Sequence, residues 1–295
     1  MPNIAIVWDF DGTLTPDDST TKVVEFLGEN KKGDFWEENI KSLRGDKKLP
    51  KWEHVLASDA PIWMYVLSRL AFKHKAPLNK EFFRFILPKI GLYPNVLEFL
   101  QSLKNIEKQN TFSKLDLRIH HFIVSAGLKE LIEQIFPKNL IAATFGCRYK
   151  IITSEGSKDE PESVPVFCMD ETMKTRSIFE ISKGSFTDEN KKVNDRVEKK
   201  NLWAPFKNII YIGDGDTDVP ALSLVRSKGG LGVAVYNPEW EKERIDNRFK
   251  KMRLDRRTDF ITPADFSLEG ELYNYITVRC NQVRQRYEAE IIIKR

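Results

Sequence analysis

Asp9 and Asp11 are two carboxylates separated by one residue, and they follow directly on the apolar run of residues 4–8. Nearly every position of that run is apolar and Ile4, Ile6 and Val7 are β-branched, which predicts a short buried strand. Gly12 and Thr13 break the pattern and open a loop. Asp9 therefore belongs at the carboxyl end of a central strand, where open α/β sheets bind ligands. An acidic pair buried there demands a cation or a substrate to compensate it. Three more segments end in chemically useful residues. Strand-like residues 121–124 lead into Ser125-Ala126-Gly127. Lys174 opens a helical stretch that ends near Gly184. Strand-like residues 209–212 lead into Gly213-Asp214-Gly215-Asp216-Thr217-Asp218.

These four segments, in this order and in these strand-end contexts, resemble the motifs of the haloacid dehalogenase superfamily. The resemblance runs from residue 3 to about residue 270. It is closest to the branch containing phosphoserine phosphatase. Residues 207–238 and 261–266 look like a poorly characterised bacterial group within that branch. The resemblance implies a doubly wound, mostly parallel α/β sheet with an inserted α-helical cap. Residues 1–15 and 94–295 would form the core and residues 16–93 the cap between the first and second motifs.

The resemblance also assigns roles. Asp9 is the expected nucleophile and Asp11 the expected general acid/base. Relatives that break carbon–halogen bonds or pump ions carry no aspartate at the second position, so Asp11 points to phosphate esters. Ser125 and Lys174 would handle charge on the transferring group, with backbone N–H groups near Ala126 and Gly127 at the start of a helix over residues 128–133. Mg²⁺ is the expected cofactor, because a carboxylate attacking a phosphate dianion needs its charge offset, and Mg²⁺ takes carboxylate and phosphate oxygens. Asp9 and Asp214 would hold it, with the backbone carbonyl of Asp11 as a third ligand and Asp218 orienting ligands or waters. Asp216 is expected in a solvent-facing loop, and Thr13 to brace the loop after Asp9. The activity implied is Mg²⁺-dependent hydrolysis of a small phosphate monoester through an aspartyl-phosphate. Transfer to a second alcohol, or a mutase reaction, would share the first half-reaction. A non-catalytic binding protein would require a damaged motif, and none is damaged.

The cap segment carries helical apolar faces at Val23, Val24, Phe26 and Leu27, at Leu67, Leu70 and Ala71, and at Phe82, Phe83, Phe85 and Ile86. Gly45, Pro50 and Pro94 mark breaks. Asp17 and Asp18 lie where amine-recognising relatives place an acid, and Asp18 or Ser19 equally suits a helix N-cap. Arg44, His54 and Arg69 are candidates to meet a substrate carboxylate. Trp36, Trp52 and Trp63 read as cap core. Charged residues 187–200 read as an exposed helix or loop. Helices are expected after Val96, after Val219 and over residues 271–295, and a strand over residues 231–235.

With 41% hydrophobic and 31% charged residues in 295, the composition suits a soluble globular chain. No apolar run approaches a membrane span and the start lacks a signal-peptide pattern, so no membrane partner is expected. A net charge of +4 is too mild for a nucleic-acid binder, and the lysine clusters at residues 31–32, 47–48, 191–192 and 199–200 are mixed with acids. Cys147, Cys168 and Cys280 show no metal or disulfide spacing, which fits reduced thiols in a cytoplasmic protein.

Overall fold

The computed structural model describes residues 2–28, 35–40, 59–153 and 160–293. Seven strands form one sheet in the order β4-β3-β2-β1-β5-β6-β7. They are β1 (Asn3–Trp8), β2 (Arg118–Leu128), β3 (Ile141–Ile152), β4 (Glu162–Phe167), β5 (Ile209–Gly213), β6 (Leu231–Tyr236) and β7 (Phe260–Pro263). Only β4 is antiparallel to its neighbour. The chain leaves β1 on one side through β2 and β3 and returns on the other through β5, so strand order reverses at β1. That is the place where open sheets leave a crevice.

Every residue of β1 is buried, because helices cover both faces. Ala5 and Val7 enter one apolar layer, and Ile4, Ile6 and Trp8 enter the other. The second layer is closed by the helices Val96–Asn105 and Glu271–Ile293 through Phe99, Leu100, Leu272, Ile276 and Val283. The first layer includes Ile178 and Ile181 of the helix Glu171–Lys183 and also residues from the 16–93 segment, Val23, Trp63, Leu67 and Phe83.

The described residues of that segment are helical at Ser19–Phe26, Phe35–Ile40, Asp59–Lys73 and Lys80–Phe83. The Asp59–Lys73 helix leans on the β3–β4 pair: the Tyr149 hydroxyl donates to the Met64 carbonyl at 2.6 Å, and the Ser68 hydroxyl donates to the Ser163 carbonyl. Of the predicted apolar faces, Val23, Val24, Leu67, Ala71, Phe82, Phe83 and Ile86 are buried, whereas Phe26 and Phe85 are exposed and stack on each other. Gly45, Pro50, Arg44, Trp52, His54 and the lysines at 31–32 and 47–48 lie outside the described residues.

The helix over 128–133 differs from expectation. β2 continues through Leu128 with irregular pairing between Val124 and Leu128, and the helix that follows is one turn, Lys129–Ile132. Residues 187–200 are largely turns, flanked by two short 3₁₀ segments. The three cysteines are free thiols. No described helix is long and apolar enough to cross a membrane.

Candidate active site

Register brings the motifs together. Trp8 pairs with Ile123 on β2 and with Ile212 on β5. One residue further, the Asp9 N–H still donates to the Ile212 carbonyl at 2.8 Å. Asp9, Ser125 and Asp214 thus leave three adjacent parallel strands within about one residue of the same level. All three line one cleft of about 340 Å³, together with Asp11, Ala126, Lys174 and Thr217.

Two glycines permit this approach. Gly12 has φ +75°, and a Cβ there would lie 2.4 Å from an Asp214 carboxylate oxygen. A Cβ on Gly213 would lie 2.4 Å from the Asp218 carboxyl carbon. Any side chain at either position would push a carboxylate out of the cluster.

The central charge is Lys174, which is fully buried. Its helix begins one turn earlier than expected, capped by Asp170, whose carboxylate accepts from the Met173 N–H at 2.7 Å. This start turns Lys174 inward. Its ammonium sits 2.9 Å from Asp9 and 2.7 Å from Asp218, and it donates to Thr217 at 3.2 Å. Burial pulls the Lys174 pKa down, but Asp218 and Asp9 push it up further, so the group stays charged. Asp218 also accepts from the Tyr211 hydroxyl at 2.6 Å and the Gly215 N–H at 3.1 Å. Its oxygens are engaged by the protein, which suits a group that orients its neighbours.

One lysine does not neutralise this cluster. Asp9, Asp214 and Asp218 each offer an oxygen within 4.8 Å of the others. Burial, then the Asp218 charge, raise the Asp9 pKa well above the usual carboxylate range against the pull of Lys174. Burial and Asp218 likewise push Asp214 up to about 7, against Lys174 and Arg248. Buried carboxylates that repel one another are a natural seat for a hard divalent cation. Asp9 takes one contact on each oxygen, from the Phe10 N–H at 2.7 Å and from Lys174, which leaves each a lone pair for a cation, whereas Asp218 Oδ1 already takes both Lys174 and Tyr211.

The Asp11 carboxylate is turned elsewhere, and it is not part of the three-carboxylate group. It accepts from the Ser19 N–H at 2.8 Å and the Ser19 hydroxyl at 3.0 Å. Burial first, then the charge of Asp18, push its pKa up to about 8 despite those bonds. At neutral pH Asp11 carries a proton it can give. Close beside Asp11, where a Cβ on Gly127 would lie 2.8 Å from its carboxylate, the Gly127 N–H donates to Ser125 Oγ at 2.9 Å. That bond occupies Gly127, which was expected to donate to phosphate directly, and leaves the Ser125 hydroxyl hydrogen free to point outward.

Packing decides several further expectations. The Thr13 hydroxyl is buried without a partner. Thr13 braces the loop after Asp9 as expected, but through its N–H, which donates with those of Leu14 and Thr15 to the Phe10 carbonyl; Thr15 Oγ1 adds a bond to the Gly91 carbonyl at 2.6 Å. Trp36 and Trp63, read as core, do pack in or against the first apolar layer, and both also line the cleft; the Trp36 indole N–H donates to Thr21 Oγ1 at 2.9 Å. Asp18 caps the Ser19–Phe26 helix by accepting from the Thr21 N–H at 2.6 Å, and Asp17 pairs with Lys22 at 3.3 Å. Arg69 is exposed and lies over the Phe72 ring, away from the cleft. Asp216 is exposed as expected, but it meets Arg248 at 3.1 Å.

Arg248 and Tyr211 were not singled out in the sequence, and Ser19 was noted only as a candidate helix cap. Arg248 sits in a helix, Lys242–Leu254, so rich in charge that no position stands out. Tyr211 carried a signal: a lone hydroxyl inside an aliphatic strand needs a partner.

A model of the haloacid dehalogenase-like hydrolases matches residues 6–223. The chain belongs to this family. A protein of Borreliella burgdorferi described as uncharacterized is 31% identical over 207 residues, 65% of each chain. Among solved structures, a probable phosphoserine phosphatase from Vibrio cholerae superposes with a TM-score of 0.51 at 14% identity, covering 97% of this chain and 67% of that one. A HAD family hydrolase from Salmonella enterica serovar Typhi gives 0.49 at 15% identity, covering 82% and 64%. The chain thus spans just under two thirds of the length of the first and last of these relatives. The Vibrio likeness is one of fold.

Proposed function

We propose that this chain is a Mg²⁺-dependent phosphatase that hydrolyses a small phosphate monoester through an aspartyl-phosphate on Asp9. The observation that carries the reading is the pairing, two residues apart in one cleft, of a carboxylate bound to a buried ammonium with a second carboxylate that can give a proton at neutral pH. Asp9 is held against a buried ammonium at 2.9 Å, and Asp11 is held protonated by burial. Family membership and the carboxylate cluster support it.

In this reading the Asp9 carboxylate attacks phosphorus. The ester P–O bond breaks as the Asp9 O–P bond forms, and Asp11 gives its proton to the departing alcohol. Asp11, now ionised, takes a proton from the water that next attacks phosphorus, which releases phosphate and restores Asp9. Lys174 stabilises charge on the transferring oxygens, and the Ser125 hydroxyl donates to one of them. Asp9 and Asp214 would hold Mg²⁺, with Asp218 fixing their surroundings. When bound, the cation offsets the repulsion between the carboxylate and the phosphate dianion. We read residues 16–93 as a cap whose Trp36 and Trp63 close the cleft from above. A cytoplasmic location belongs to the same reading, supported by the three free thiols.

The test is phosphate release from p-nitrophenyl phosphate with and without Mg²⁺, beside an alkyl phosphate. Release should need the metal. Asp11→Asn should lose far more on the alkyl ester, whose leaving group needs a proton, than on p-nitrophenyl phosphate. Equal losses on both would remove Asp11 from the acid role, and metal-independent turnover would remove Mg²⁺ from the reaction.

A further inference from the structure

A second cavity lies at the other end of the sheet from the cleft. It is a groove of about 930 Å³ beside Pro2, which precedes β1, Lys207, which precedes β5, and Lys228, which precedes β6. Its floor is apolar, with Leu115, Leu202 and Phe206, and its rim carries Lys199, Lys200, Lys207 and Lys228. Two of these lysines have acidic neighbours, Lys200 with Glu198 at 3.0 Å and Lys207 with Glu290 at 3.4 Å. Both pairs are well exposed to water and so hold weakly. Lys199 and Lys228 form no ion pair among the described residues.

The helix Glu271–Ile293 runs past this groove, and its last described residues are three exposed isoleucines. Ile291, Ile292 and Ile293 are 44%, 72% and 83% exposed. Exposed apolar residues are ordinary when scattered, but three in succession form a patch. Successive helical residues point about 100° apart. The three therefore cannot form one stripe for a flat protein face; they form an apolar tip. In sequence Lys294 and Arg295 follow. An apolar tip among lysines suits a medium that is anionic at its surface and apolar just below it.

We propose that this end of the molecule docks on an anionic lipid bilayer, with the isoleucine tip entering the interface and the groove lysines over the headgroups. The expectation that no membrane partner exists rested on the lack of a spanning segment, and surface docking needs none. The catalytic cleft, at the opposite end of the strands, would remain open to water. The inference stands apart from the phosphatase reading.

Flotation of the full chain with phosphatidylcholine vesicles, with and without phosphatidylglycerol, tests it. Binding should require phosphatidylglycerol and weaken as salt rises. The Lys199→Glu/Lys228→Glu variant and the Ile292→Ser/Ile293→Ser variant should each partition roughly tenfold less, and Ile293→Ser alone by a smaller factor. Hydrolysis of a soluble ester should be unchanged in all three. Failure of folded wild-type protein to float, or flotation indifferent to either pair of substitutions, would overturn the proposal. So would a dimer in sedimentation that the isoleucine changes dissolve, because the tip would then be a contact between copies of the chain.

Discussion

Trp8 and Asp9 are neighbours in sequence, and both place polar atoms out of water. Around Trp8 the polar groups are complete. Its indole N–H donates to His121 Nδ1 at 3.1 Å, and the other ring nitrogen of His121 donates to the Leu100 carbonyl at 2.9 Å. Burial holds His121 down to about 3, so the ring stays neutral. Around Asp9 the hydrogen bonds are also made, but the charges are not balanced: Asp9, Asp214 and Asp218 share one lysine. The first cluster is satisfied by the protein alone and serves the core. The second is satisfied only when something positive arrives, and that is the physical mark of a site.

The contrast is open to attack at several points. The largest expected effect is on turnover in Asp9→Asn, which should fall roughly a thousandfold or more, while the metal-free protein melts at the same or a higher temperature because a repelling charge is gone. A melt lowered as far as by a core truncation would make Asp9 a structural residue like Trp8. Next is Lys174→Met, which leaves two buried carboxylates facing each other and should cost about 3–5 kcal/mol in urea unfolding. Adding Asp218→Asn should return part of that loss, and strict additivity of the two changes would deny their coupling.

His121 should betray itself in acid. Its folded value is depressed to about 3 from 6.5, so the unfolded chain takes up the proton first. Its contribution is complete above pH 6.5 and drains away as pH falls toward 3, at up to about 1.4 kcal/mol per unit. His120, held down to about 4 chiefly by burial, adds to the same limb. His121→Gln should flatten that limb and leave turnover at neutral pH unchanged; a changed turnover would tie the core cluster to the site. The smallest expected effect is in Trp36→Ala, a rise in KM of about threefold to tenfold at constant kcat. A loss confined to kcat would place Trp36 among the groups that act on the transition state.

Legibility in the sequence followed the range of each interaction. The strands β1, β5 and β6 were visible because buried parallel strands are apolar throughout. Asp9, Asp11, Ser125, Lys174, Asp214 and Asp218 were visible because they stand at strand and helix ends in a fixed order. Chain direction alone almost dictates that these ends meet. The one-turn helix after Ser125 was misjudged because Leu128–Glu133 has helical composition, while β-pairing of Leu128 with Cys147 decides its start. Trp36 and Trp63 were read as core and pack as core, but that they also line the cleft was not legible, because a tryptophan at a cleft edge has the same sequence pattern as one inside a core.

By itself the sequence determined the family, the sheet and the set of acidic, hydroxyl and basic residues available for chemistry, since these rest on local pattern and spacing. Only the tertiary structure decided which of those groups is charged. Burial raised the pKa values of Asp9, Asp11 and Asp214, and the charges that Asp9 meets, Asp218 and Lys174, stand more than a hundred residues away in sequence. Electrostatic energy depends on distances through space and on exclusion of water, and a one-dimensional pattern holds neither.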